Sequence, residues 1–261
     1  MTPLKLAISL AAGLTLGLPL FGAAGAQTPT AAAQAPAAPM EPAARQALDR
    51  MGAYLRTLNA FEVDARTSLD VVTEAGQRIQ LDGTAAYKVR RPDAFRITVE
   101  SDWKKRTFYY DGKQFTVVAP ELGYYARAAA PATIAQTLDV VSERFGITLP
   151  LEDLFRWNDP SQKQSTTLDS AMDIGPVTID GTPTELYAFR QGMVDWQVWI
   201  QTGDQPLPRK LVIIDRSDPA QPAYVARLTW RLNPTLNNAD FTYTPAQDAK
   251  AIRLTTIETG R

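Results

Sequence analysis

The chain of 261 residues contains no cysteine and no histidine. Without an imidazole or a thiol it cannot assemble Ser-His-Asp or Cys-His nucleophilic chemistry, or the histidine and thiolate ligand sets of zinc sites. Lack of cysteine also removes disulfide staples and lipoprotein-type acylation, so the fold must rest on its core. An excess of one charge is missing as well: 27 basic residues stand against 28 acidic ones, and they are dispersed. A nucleic-acid surface would leave a basic face, and the small cluster Lys104-Lys105-Arg106 reads as a solvated turn. The glycines show no phosphate-cradling spacing. Carboxylate pairs are present at Asp139/Glu143, Glu152/Asp153 and Asp169/Asp173. Two acids are the minimum for glycosidase-type chemistry, yet these spacings fit a solvated helix face and loop charges better. Ser142 and Lys163 lie in no nucleophile motif. The composition points away from an enzyme, a metal site, a cofactor and nucleic acid.

Long hydrophobic runs are also scarce. The one uncharged run, Leu6 to Phe21, follows Lys5 and precedes Ala24-Gly25-Ala26, the pattern of a secretory signal peptide cleaved after a small residue. The run is short of the ~20 residues that a membrane anchor needs, so residues 1–26 are expected to be removed. Loss of Lys5 takes the formal charge from −1 to −2. Residues 27–42, QTPTAAAQAPAAPMEP, are rich in alanine and proline and read as a disordered or extended linker. Residues 43–261 remain, enough for one domain with a sizeable core.

What is present is alternation. In Arg78 to Val89, Ile79, Leu81, Gly83, Ala85, Tyr87 and Val89 fall on one side, against mainly polar residues on the other. Period two marks a strand with one buried and one wet face. Arg91-Pro92-Asp93 breaks the run, because proline lacks a donor and restricts the residue before it. Phe95, Ile97 and Val99 then repeat the pattern, and Phe108-Tyr110 and Phe115-Val117 flank the turn Asp111-Gly112-Lys113, a strong hairpin signal. The stretch to Ala126 reads as an antiparallel meander with one apolar face. Upstream, Phe61 to Val71 alternates likewise.

Helical spacing occurs in two places. Pro42 to Leu58 carries Ala44, Leu48, Met51 and Leu55 on one stripe behind a proline in the first turn. Pro131 to Phe145 carries Ile134, Leu138, Val141 and Phe145, with Gly146 placed to end it. A shorter helix, Leu151 to Phe155, is expected after Pro150. Strands return with Val177-Ile179 and Leu186-Phe189 around Asp180-Gly181-Thr182. Trp196-Val198-Ile200, Leu211-Ile214, Tyr224 to Leu232 and a last Phe241 to Pro245 follow. The expected class is α+β: a strongly curved antiparallel sheet forming a half-open β-barrel, with an N-terminal helix and inserted lid helices. The tryptophans Trp103, Trp157, Trp196, Trp199 and Trp230 would line a mouth or cap the core.

Five pieces, in this order, resemble the LolA/LolB-like periplasmic lipoprotein-carrier superfamily, and within it the predicted periplasmic proteins of unknown function. They are the corner Arg91-Pro92-Asp93-Ala94-Phe95-Arg96, the hairpin Tyr110-Asp111-Gly112-Lys113, and Leu149-Pro150-Leu151-Glu152-Asp153-Leu154 at the family's lid region. The late strand opening Pro206-Leu207-Pro208-Arg209-Lys210 and the closing Phe241-Thr242-Tyr243-Thr244-Pro245 complete the set. The resemblance spans residues 45–255. It implies an eleven-strand-type half barrel, a periplasmic address and an apolar cavity for acyl chains. It further implies that Arg91 latches the lid, that Phe95, Ile97, Val99, Phe108 and Phe115 form the wall, and that Leu138, Val141 and Phe145 close it. The stretch around Trp196-Gln197-Val198-Trp199 differs from the true carrier, which leaves an acyl-lipoprotein cargo open. A lipid or acyl-chain ligand is expected, with a donor or acceptor protein in the envelope, transient membrane contact and a monomeric state. The alternative is an envelope protein-interaction or stress-sensing module with the same fold and a filled core.

Overall fold

The computed structural model describes residues 39–152 and 168–256; the expected signal peptide, most of the linker, Trp157 and Lys163 lie outside them. Helix α1 (Pro42–Thr57) leads into β1 (Ala60–Val72), β2 (Arg78–Arg90), β3 (Ala94–Ser101), β4 (Lys104–Tyr110), β5 (Gln114–Ala119) and β6 (Tyr124–Ala129). Helix α2 (Ile134–Phe145) follows, then β7 (Ser170–Ile179), β8 (Thr182–Gln191), β9 (Val194–Gln201), β10 (Pro208–Asp215), β11 (Ala223–Leu232) and β12 (Lys250–Ile252). All strands join one 12-stranded sheet in the order β12-β6-β5-β4-β3-β2-β1-β11-β10-β9-β8-β7. The sheet is open: β12 and β7 are its two edges, so it does not close into a barrel.

Two meanders of consecutive hairpins meet where β1 pairs β11, from Phe61 opposite Leu232 to Leu69 opposite Tyr224. Turn chemistry sets the hairpins. At the β7–β8 turn, Asp180 and Gly181 both take positive φ, +47° and +77°, the backbone that a two-residue turn needs to follow strand twist. Alternation then sends Phe61, Val63, Ala65, Ala85, Tyr87, Val89, Phe95 and Ile97 to one face, all buried. Phe115 on β5 and Phe189 on β8, near opposite flanks of the sheet, belong to the same core with both helices. Strands spaced about 4.8 Å apart reach a common core only if the sheet curls, as the twist of large sheets favours.

Helix α1 buries the expected stripe Ala44, Leu48, Met51 and Leu55, and Ala47 and Gly52 beside it. The last residues of the expected linker are not a free tether. The Ala171 N–H donates to the Pro39 carbonyl at 2.9 Å, the Glu41 N–H donates to the Ala171 carbonyl at 2.8 Å, and the Glu41 carboxylate accepts from the Asp173 N–H at 2.9 Å. These bonds cover part of the β7 edge, which would otherwise offer open donors to another strand. Helix α2 starts at Ile134 rather than Pro131, because the Thr133 hydroxyl caps it by accepting from the Gln136 N–H at 3.3 Å. It ends at Gly146, in the left-handed region at φ 64°. Of the expected short helix Leu151 to Phe155, Leu151 and Glu152 form a turn, and the rest lies outside the described residues.

The expected last strand, Phe241 to Pro245, is not a strand. Residues 238–252 form a strap across the sheet's outer face. A short 3-10 turn, Asn238–Asp240, is pinned where the Lys88 ammonium meets the Asp240 carboxylate at 2.9 Å and the Arg90 guanidinium donates to the Asn238 side-chain oxygen at 2.8 Å. Phe241 is buried beneath Arg90, whose guanidinium lies 4.9 Å from its ring centre. Tyr243 then fits between Tyr109 and Tyr125, with ring centres 5.6 and 5.5 Å away. The chain reaches the far flank, where β12 pairs in parallel with β6. Alternating aromatics made this segment read as a strand. Their alternation comes instead from crossing the sheet, with Phe241 and Tyr243 facing down onto it. Among the described residues no helix is long and apolar enough to cross a membrane.

Candidate functional site

Most of the residues expected to form a wall and its cover lie in one core on the inner face of the sheet, Phe145 excepted. Phe95, Ile97, Phe108 and Phe115 from β3, β4 and β5 share the core with Leu138 and Val141 of α2. Val99 packs half-buried at its margin, and Phe145 at the end of α2 is also half-buried. Their registers explain the meeting: Ile97 stands opposite Phe108, and Tyr110 opposite Phe115. The rings interlock, with centres 6.3 Å apart for Phe95 and Phe115 and 6.2 Å for Phe108 and Phe115. Phe95 is 1% exposed and Ile97 fully buried, so these side chains are sealed from solvent within the core they share with α2.

Arg91 sits in the turn between β2 and β3. Its N–H donates to the Asn59 carbonyl at 2.8 Å, and its guanidinium lies 5.9 Å from the centre of the Phe61 ring. The corner next to it is tied to α2 directly, because the Ile134 N–H, at the first turn of α2, donates to the Pro92 carbonyl at 2.9 Å.

Two tyrosines that the sequence placed only in an alternating run or a hairpin tie the chain on both sides of α2. The Tyr110 hydroxyl donates to the Pro131 carbonyl at 2.5 Å, just before α2. The Tyr87 hydroxyl donates to the Pro150 carbonyl at 2.9 Å, just after it. Burial raises the ionisation range of both phenols, that of Tyr87 strongly, so both remain neutral donors at ordinary pH. The only sequence signal for this role is a hydroxyl placed at an inward position of an apolar run, where a buried O–H must find an acceptor.

The tryptophans divide. Trp196 stacks on Phe189 in the core with ring centres 4.2 Å apart. Trp230 donates its indole N–H to the Pro208 carbonyl at 2.8 Å, and Trp199 is covered by the Lys210 ammonium 4.3 Å from its ring centre. Trp103, 64% exposed, stands at the β3–β4 turn. A separate hollow of about 240 Å³ opens between α1 and the β8–β9 hairpin, beside Arg50, Glu185, Tyr187 and Gln201. The Glu185 carboxyl is raised by burial and then by the neighbouring Asp173. No wall or lid residue lines this hollow among the described residues. Of the carboxylate pairs, Asp169 is engaged with the Gly192 N–H at 2.6 Å, and among the described residues no acidic group of three is placed to hold a metal.

The sequence pattern of a family described as "Predicted periplasmic protein (DUF2092)" matches residues 44–255. No curated protein matches the chain. Among solved structures, the chain is similar to an uncharacterized conserved protein from Thermus thermophilus, at 12% identity and a TM-score of 0.47, covering 81% of this chain and 99% of that one. It is similar to the lipoprotein LppX of Mycobacterium tuberculosis at 16% identity and a TM-score of 0.46, covering 75% and 98%. It is also similar to a LolA superfamily protein from Nitrosomonas europaea at 11% identity and a TM-score of 0.40, covering 77% and 97%.

Proposed function

The chain belongs to the DUF2092 family of predicted periplasmic proteins, and from that premise we propose that it is a non-enzymatic periplasmic carrier that binds a lipid or an acyl chain on the inner face of its curled sheet. The observation that supports this reading is the way α2 covers the wall. The helix contributes Leu138 and Val141 to the core that holds Phe95, Ile97, Phe108 and Phe115, while polar ties hold its flanks: Ile134 to Pro92, Tyr110 to Pro131 and Tyr87 to Pro150. An apolar contact surface in the middle and fixed points in the flanking turns suit a cover that rises and closes again. In this reading Arg91 latches the lid, Phe95, Ile97, Val99, Phe108 and Phe115 form the wall, and Leu138, Val141 and Phe145 close it.

Magnitudes fit a carrier. Burying a methylene contributes about 0.8 kcal/mol, so shielding ~8 methylenes of one acyl chain contributes roughly 6 kcal/mol. That corresponds to a dissociation constant of roughly tens of micromolar, tight enough to hold and weak enough to release. The complete burial of Phe95, Ile97 and Phe115 favours a second reading, a protein-interaction or sensing module whose core is filled.

Vesicle extraction separates the two. The full chain is incubated with phosphatidylglycerol vesicles carrying a labelled acyl chain, the vesicles are sedimented, and lipid in the supernatant is measured. Labelled lipid that stays with soluble protein supports the carrier. A supernatant free of lipid at every protein concentration supports the filled-core module.

A further inference from the structure

The inner face of β11 carries Tyr224, Ala226, Leu228 and Trp230 in alternation. Tyr224 stands opposite Leu69 on β1 and Ile213 on β10, so its cross-strand neighbours are hydrocarbon. As a residue it is half-buried. Its hydroxyl oxygen, however, is sealed from solvent and has no hydrogen-bond partner among the described residues. A tyrosine at the margin of a core ordinarily does the reverse, with the ring inward and the hydroxyl wet or partnered. A buried hydroxyl left unpaired costs more than a typical hydrogen bond contributes, which makes each such group a candidate for a functional explanation.

The surroundings define what would satisfy it. Burial raises the ionisation range of Tyr224, so its phenol stays neutral, and the residues opposite it, Leu69 and Ile213, carry no charge. Tyr87 is near enough for Tyr224 to raise its ionisation range further, but the Tyr87 hydroxyl is committed to the Pro150 carbonyl. A matching group on a ligand must accept a hydrogen bond and carry no charge, because an ionised carboxylate would enter this apolar margin without a counter-charge.

We propose that the Tyr224 hydroxyl is the polar anchor of the acyl-binding face and donates to the neutral carbonyl oxygen of an acyl ester whose chain lies along the inner wall. This inference rests on the acyl-binding reading above and deepens it by naming the ligand class: esterified acyl chains, in preference to free fatty acids or plain hydrocarbon.

The test compares two lipids that differ only in their two ester carbonyls, 1,2-dioleoylglycerol and its dialkyl ether counterpart. Each displaces a bound hydrophobic fluorescent dye from the full chain and from Tyr224→Phe. The wild type is expected to bind the ester about tenfold more tightly than the ether, the worth of one hydrogen bond. Tyr224→Phe is expected to bind both with the wild type's ether affinity, while melting no lower than the wild type. An ester preference retained by Tyr224→Phe overturns the inference. Equal binding of the two lipids by the wild type also overturns it and leaves acyl binding standing. Failure of both lipids to displace the dye from the wild type removes the acyl-binding reading itself, and this anchor with it.

Discussion

The Tyr87 hydroxyl donates to the Pro150 carbonyl at 2.9 Å across a sequence separation of 63 residues, joining β2 at the centre of the sheet to the chain that leaves α2. The bond fixes the chain after α2, as Tyr110 and Pro131 fix it before α2 at 2.5 Å.

Tyr87→Phe keeps the ring in the core and removes this one tie. It is expected to cost about 1 kcal/mol of stability and to speed hydrogen exchange at Ile147 and Leu149, next to the freed carbonyl, while the amides of β2 stay protected. Urea titration and exchange mass spectrometry measure the two effects. Unchanged exchange at Ile147 and Leu149 would show that the hydroxyl does not hold the lid.

Arg91→Leu separates latching from folding. The backbone bonds of this corner, Arg91 to Asn59 and Ile134 to Pro92, do not involve the side chain. The change is therefore expected to cost about 0.5–2 kcal/mol through the lost cation–π contact with Phe61, and to quicken ligand release without unfolding the protein. Stopped-flow release of a bound fluorescent acyl probe measures it, and unchanged kinetics would remove the latch role.

Phe241→Ala tests the strap. Phe241 is 1% exposed, and removal of a buried phenylalanine costs about 3–5 kcal/mol when the site cannot collapse. The loss should appear as a lower urea midpoint. It should be accompanied by greater protease sensitivity around Tyr243, whose seat between Tyr109 and Tyr125 depends on the same segment. Stability within ~0.5 kcal/mol of wild type would show that the strap is incidental.

Much of this architecture was legible because its physics is local. Alternation from Ile79 to Val89 located β2, whose buried face covers only Ala85, Tyr87 and Val89 while Ile79 is exposed at its far end, and Asp180-Gly181 located a turn. The stripe through Leu138 and Val141 located the face of α2. The rest depended on partners distant in sequence. Tyr124 to Ala129 lacks a clear alternation, and its pairing with β5 and β12 makes it a strand. Phe241 and Tyr243 alternate like strand residues, yet only the groove offered by Arg90, Tyr109 and Tyr125 shows that they cross the sheet. The residues expected to form the site were read from periodicity and resemblance together; Phe95, Ile97, Phe108, Phe115, Leu138 and Val141 share one core with Val99 against it, whereas Arg91 and Phe145 are not part of that core. Tyr87, Tyr110 and Tyr224 escaped notice because a hydroxyl's role is set by the acceptor it reaches or lacks.

Alkaline pH should weaken the fold through two of these phenols. Tyr87 and Tyr224 ionise well above the ordinary value of 10.0 in the folded chain, chiefly because burial disfavours the anion. A raised pKa in the folded state means that the unfolded chain loses its protons first. The stabilising effect is therefore complete below about pH 10 and declines as the pH rises beyond it. Unfolding free energy should be flat from about pH 7 to 9 and fall above about 10, and the double variant Tyr87→Phe/Tyr224→Phe should fall less steeply. Parallel curves for variant and wild type would contradict this assignment.

The central claim is that the closed inner face holds a lipid. Its most direct test is native mass spectrometry of the protein purified from periplasm without detergent, followed by solvent extraction. The account predicts a second mass above the bare chain, released into organic solvent and identified as an acyl-chain lipid. A single bare mass, with no extractable lipid, would contradict the account and leave the filled-core interaction module in its place.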